Sequence, residues 1–100
     1  MKKPQQEPRM IVALVMIRCE RDQIPEAAKS IVEFPGVEEV YSVTGEWDLI
    51  VKVKVLRWDE IAQVVTEHIA KVKGIQRTDT HMAFRVLSKD DISATYEGFE

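Results

Sequence analysis

Residues 10–18 form a run with no polar side. In an extended chain Val12, Leu14 and Met16 fall on one face, and Ile11, Ala13, Val15 and Ile17 on the other. A strand that is apolar on both faces must be covered on both. From Ile24 the period changes. Ile24, Ala27, Ala28, Ile31 and Phe34 recur at helical spacing, with Asp22 ahead as a cap candidate, Pro25 in the first turn and Pro35-Gly36 as a stop. Residues 37–44 and 47–55 read as strands. Gly45-Glu46 between them predicts a two-residue type II′ hairpin. In the second of these strands Leu49, Val51, Val53 and Val55 share one face, and Asp48, Ile50, Lys52 and Lys54 the other. Residues 58–72 predict a second helix with Trp58, Ile61, Val65, Ile69 and Val72 as its buried stripe and Ala62 beside it. Asp59 and Glu60 at its start and Lys71 and Lys73 at its end suit the helix dipole, and Gly74 ends it. A last strand spans 75–87, and Ile92, Tyr96 and Phe99 predict a short amphipathic helical turn that docks on the domain.

The order is β-α-β-β-α-β, and the segments that follow the two helices echo each other. This predicts an α+β, ferredoxin-like sandwich: a four-stranded antiparallel sheet with both helices on one face. Residues 1–9 form a polar tail, 10–87 the domain, and 88–100 a C-terminal extension. With helices on one side only, an apolar sheet face is left open, and such a face marks an interface. The expected interface residues are Ile11, Ala13, Val15 and Ile17, joined by Ile50, through which two copies pack sheet to sheet.

Composition narrows the function classes. One hundred residues make one domain. A hydrophobic share of 45% against 31% charged residues argues against a disordered chain. The net charge of −3 gives no reason to expect nucleic acid as partner. Cys19 is alone, so no internal disulfide forms and a reducing compartment, the cytoplasm, is expected. The longest apolar run, Met10 to Ile17, is eight residues, against the roughly 20 a bilayer span needs. No apolar stretch or cleavage site precedes it, so no signal peptide is expected.

The usual catalytic patterns are missing. Cys19, His68 and His81 do not cluster at metal-ligand spacing, and no nucleophile turn surrounds a cysteine or serine. No glycine-rich phosphate loop occurs, so no cofactor is expected. RNA-recognition modules share the element order but need aromatics on the central strands, where this chain has Ile11, Val15 and Val51. What remains is Ser42, Thr44, Gly45, Trp47 and Asp48 around the hairpin, and Thr78, Asp79, Thr80 and His81 early in the last strand. Each group has a structural explanation, because β-branched and aromatic residues pair well in strands. Together they suit a zwitterion. Asp48 supplies a carboxylate for an ammonium, while threonine hydroxyls and the N–H groups of a glycine turn suit a carboxylate.

The segments FPGVEEVYSVTGEWDLIVKVKV and VKGIQRTDTHMAF resemble the effector domain of the Lrp/AsnC family, the leucine-responsive and asparagine-responsive regulators of amino-acid metabolism. The resemblance covers about residues 10 to 87 and is most specific at Val43-Thr44-Gly45-Glu46-Trp47-Asp48, supported by Gly74 to Thr80. It implies a ferredoxin-like domain that dimerises through its sheets, assembles into rings such as octamers, and binds amino acids between dimers. The family's ligand-contacting segments fall on Gly45, Asp48, Thr78 and Thr80, with Thr44, Trp47 and His81 as neighbours. The departure is at the amino terminus, where nine polar residues stand in place of the family's helix-turn-helix domain. The expectation is therefore a stand-alone, non-enzymatic effector domain without direct DNA recognition. It would work through a full-length regulator or an enzyme.

Two rival readings share the strand order. One is an ACT-type regulatory domain, which pairs side by side. The other is a small dimeric α+β-barrel enzyme, such as a monooxygenase or isomerase, with His81 as the candidate base. His81 alternates onto the strand face of Asp79, Ala83 and Arg85, opposite Met82 and Phe84, which disfavours an interior base.

Overall fold

A computed structural model of the chain describes residues 10–87 and Lys89. The tail 1–9 and the docking turn expected from Ile92, Tyr96 and Phe99 lie outside the described residues. The elements are β1 (Ile11–Cys19), a 3₁₀ turn (Arg21–Gln23), α1 (Ile24–Ile31), β2 (Val37–Ser42), β3 (Leu49–Val55), α2 (Trp58–Gln63) and β4 (Ile75–Met82). The four strands form one antiparallel sheet in the order β2-β3-β1-β4. Each β-α-β unit therefore straddles a strand of the other, the split arrangement of a ferredoxin-like sandwich.

The register decides which face of β1 the helices cover. Ala13 lies opposite Val53, Val15 opposite Val51 and Ile17 opposite Leu49. Residues directly opposite across a ladder share a face. The odd positions of β1 thus join the all-apolar face of β3. They pack with Ala27 and Ile31 of α1 and Ile61, Val64 and Ile69 of the second helical segment. This corrects the expected interface. Ala13, Val15 and Ile17 are fully buried beneath the helices of their own chain, and Ile11 packs partly against the same core. The open face carries Leu14 and Met16 instead, with Ile50 opposite Met16 and Tyr41 opposite Ile50. Of the expected set only Ile50 is on that face.

The second helical segment also departs from a simple period. α2 continues without a break into a π-helical turn (Val64–His68) and a 3₁₀ turn (Ile69–Lys71). The wide turn adds a residue to the circuit. It carries Ile69 into the core and leaves His68 half-buried against the ring of Phe34, 5.1 Å between centroids. Val64 is buried in the stripe, while Trp58 is 63% exposed and stands outside it. The Glu60 carboxylate accepts from the N–H groups of Leu56 and Arg57 and fixes the start of α2. At the other end, Gly74 has φ +94° and its carbonyl accepts from Glu20 N–H. A Cβ there would come within 2.7 Å of Gln23, so both conformation and space call for glycine.

Candidate functional site

The β2–β3 connection is longer than a two-residue hairpin. Val43 N–H donates to Asp48 O at 3.0 Å, which leaves Thr44, Gly45, Glu46 and Trp47 as a four-residue loop. Asp48 closes this loop on the β2 side and also ties it to β1. Its N–H donates to Ile17 O at 2.9 Å, and its Oδ2 accepts from Cys19 N–H at 2.8 Å. Gly45 has φ +106° with nothing within 4 Å of a would-be Cβ, so glycine serves the backbone conformation there and not the space. The buried Cys19 thiol is pushed up from its ordinary pKa, first by burial and then by the negative charge of Asp48.

The first residues of β4 meet this loop. The Arg77 guanidinium lies over the Trp47 ring, 5.0 Å from its centroid. Since β1 runs between β3 and β4, this contact reaches across the end of β1. Alternation along β4 then divides the other candidate residues. Thr78 lies opposite Ile17 and Thr80 opposite Val15, on the helix-side face. Asp79 lies opposite Met16 and His81 opposite Leu14, on the open face, with His81 Nε2 3.2 Å from Asp79 Oδ2. The structure therefore brings Trp47 and Asp48 to the end of the sheet where β4 begins. It sets the two threonines and His81 on opposite faces of that strand. Thr44 and Gly45 stand at the loop, Thr44 and Gly45 both open to solvent.

Arg77 is absent from the sequence-derived set. Two signals in the chain pointed to it: its place just ahead of Thr78, and its alternation with Asp79 and His81. Its partner Trp47 follows only from the register.

A sizeable groove lies elsewhere. It is an open groove of about 470 Å³ between the start of β1, the α1–β2 turn and α2, lined by Met10, Gly36, Leu56, Val64 and His68 among others. None of the candidate ligand residues lines it. Among the described residues no helix is long and apolar enough to cross a membrane.

Residues 12–92 match the family model of the Lrp/AsnC ligand binding domain. The chain belongs to this family. Among curated relatives, an uncharacterized HTH-type transcriptional regulator of Pyrococcus furiosus is 35% identical over 81 residues, 78% of this chain and 54% of that protein. The chain spans about half the length of such curated regulators. Homocitrate synthase of Sulfurisphaera tokodaii is 33% identical over 79 residues, 78% of this chain and 17% of that enzyme. Of solved structures, TTHA0845 from Thermus thermophilus superposes with a TM-score of 0.74 at 39% identity, covering 79% of this chain and 99% of that one. The transcriptional regulator NMB0573 of Neisseria meningitidis, solved as a complex with L-Met, shares the fold. Its TM-score is 0.73 at 16% identity, over 88% of this chain and 58% of that one. Segments similar to this chain thus occur in regulators and in a homocitrate synthase, and make up nearly all of the TTHA0845 chain.

Proposed function

We propose that this Lrp/AsnC domain is a non-enzymatic sensor that binds an amino acid at the hairpin end of its sheet. The observation that carries this reading is the meeting of Trp47, Asp48 and Arg77 at one corner, where a ring, a carboxylate and a guanidinium stand together in a ligand-binding-domain family. An amino acid offers the matching groups. Thr78 and Thr80 serve the same site from the helix side of β4 when a neighbouring dimer closes over it. Thr44, Gly45 and His81 form its rim.

Assembly follows from the open face. Leu14, Met16, Ile50 and Tyr41 present an apolar patch that a second copy covers sheet to sheet, and dimers close into an octamer-like ring. The domain acts in the cytoplasm through partners. Its likeness to half of a transcriptional regulator favours a full-length regulator as partner. Its likeness to a sixth of a homocitrate synthase favours an enzyme as a second class. Specific DNA contact is left to the partner, since both helices are spent on the sheet and the chain is acidic.

A thermal-shift screen against the proteinogenic amino acids, read together with light scattering, tests this function. The expected result is stabilisation by one amino acid or a few related ones, on a species of dimer size or larger. A monomer that none of them stabilises at millimolar concentration would overturn it.

A further inference from the structure

Arg18 and Arg77 are Cα partners across the β1–β4 ladder. Like charges directly opposite in a sheet destabilise it. Here neither guanidinium has a carboxylate within ion-pair distance among the described residues. On the same face, Asp79 is paired with His81, and at the loop Asp48 turns its Oδ2 onto Cys19 N–H while its Oδ1 has no partner among the described residues. Arg77 is held in place by the face of Trp47, which fixes its plane without using its N–H donors. The result is two exposed cations with free donor groups beside one half-used carboxylate. That charge pattern is complementary to a zwitterion with its carboxylate toward β4 and its ammonium toward β3.

We infer that Arg77, supported by Arg18, is the specificity-determining anchor for the carboxylate of the bound amino acid. This rests on the amino-acid reading above and deepens it. The role assigned from sequence to threonine hydroxyls and glycine-turn N–H groups passes in the main to a guanidinium. A planar fork with parallel N–H donors matches a carboxylate and gives geometric selectivity that a hydroxyl does not. An uncharged amide in place of the carboxylate loses that match. It also leaves the like-charge pair uncompensated.

The test uses the full chain and paired probes: the amino acid that scores highest in the screen, and its carboxamide. Calorimetry on wild type should show the free acid binding on the order of tenfold or more tighter than the amide. Arg77→Gln should weaken the acid by about that factor and leave the amide unchanged, so the acid-to-amide ratio collapses toward one. Arg77→Lys keeps the charge without the fork and should restore part of the ratio. Arg18→Gln should lower the ratio less. A stacking role alone would lower the melting temperature of Arg77→Gln and leave the ratio intact, and that result overturns the inference while sparing the sensor function. If wild type binds no amino acid, the sensor function and the anchor fall together.

Discussion

The two faces of β1 are both apolar, yet the two faces of the sheet have opposite fates. On one, Val15, Ile17, Leu49, Val51 and Val53 are fully buried by α1 and the second helical segment. On the other, Leu14 remains 38% exposed and Tyr41 42% exposed, with Ile50 and Met16 half-covered. The first face is completed by the chain itself. The second is left open by the chain among its described residues. β1 is apolar on both sides and cannot tell them apart. β3 can, because Leu49, Val51, Val53 and Val55 alternate with Ile50, Lys52 and Lys54. A doubly apolar strand takes its inner face from the neighbour whose two faces differ.

The sharpest way to break this comparison is to put one charge on each face of β1. Val15→Asp buries an unpaired carboxylate in the core and should cost on the order of 3–5 kcal/mol of folding stability. Urea denaturation checks it, with a large fall in midpoint or no folded protein at all. Leu14→Asp, one residue away, should leave the fold intact and abolish dimer formation. Circular dichroism should stay native while light scattering reports a monomer. If Leu14→Asp unfolds and Val15→Asp only dissociates, the faces are assigned the wrong way round.

The same contrast shows what the sequence disclosed. The order of elements was legible, because strand and helix periods switch cleanly at Ile24, Val37 and Trp58. The inner face of β1 was legible only through its pairing with β3, which periodicity within one strand does not supply. The π-helical turn was not legible: Ile69 is buried as the stripe predicted, but Val64 is buried where Val65 was expected, and no residue type marks the turn. The hairpin's glycine was correctly placed at a positive φ. The loop length was not, because the closing bond joins Val43 N–H to Asp48 O, and Asp48 is held there by its bonds to Ile17 O and Cys19 N–H. The candidate site was half legible. Its two segments do converge, but alternation along β4 brings Arg77 rather than Thr78 or Thr80 to Trp47.

Asp48 is half-buried at the end of the β2–β3 loop, so its effects are intermediate. Asp48→Ala strands the part-buried Cys19 N–H and should cost about 1–3 kcal/mol, seen as a lower melting temperature without ligand. Asp48→Asn keeps an oxygen to accept that N–H and should cost less. It removes the charge that we propose meets the ammonium, and so should weaken amino-acid binding on the order of tenfold. Equal stability of the two variants would show that the contact to Cys19 contributes nothing. Ligand binding unchanged in Asp48→Asn would place the ammonium elsewhere.

The smallest expected effect is a titration on the open face. The Tyr41 hydroxyl has its pKa raised above the ordinary 10.0, chiefly by the neighbouring Glu39 carboxylate. The folded state therefore holds this proton more tightly than the unfolded one. The associated stability is whole below pH 10.0 and is lost as pH rises through the elevated folded value. Glu39→Gln should bring the ionisation back toward the ordinary value. Ultraviolet titration in a Tyr96→Phe background, which leaves Tyr41 as the sole tyrosine, reads it directly. Tyr41 also reports on the comparison itself. A second sheet packed over it removes water from the phenolate and should push the ionisation still higher in the dimer than in monomeric Leu14→Asp. If the two titrate alike, the partner copy does not cover Tyr41, and the interface is confined to the β1 side of Ile50.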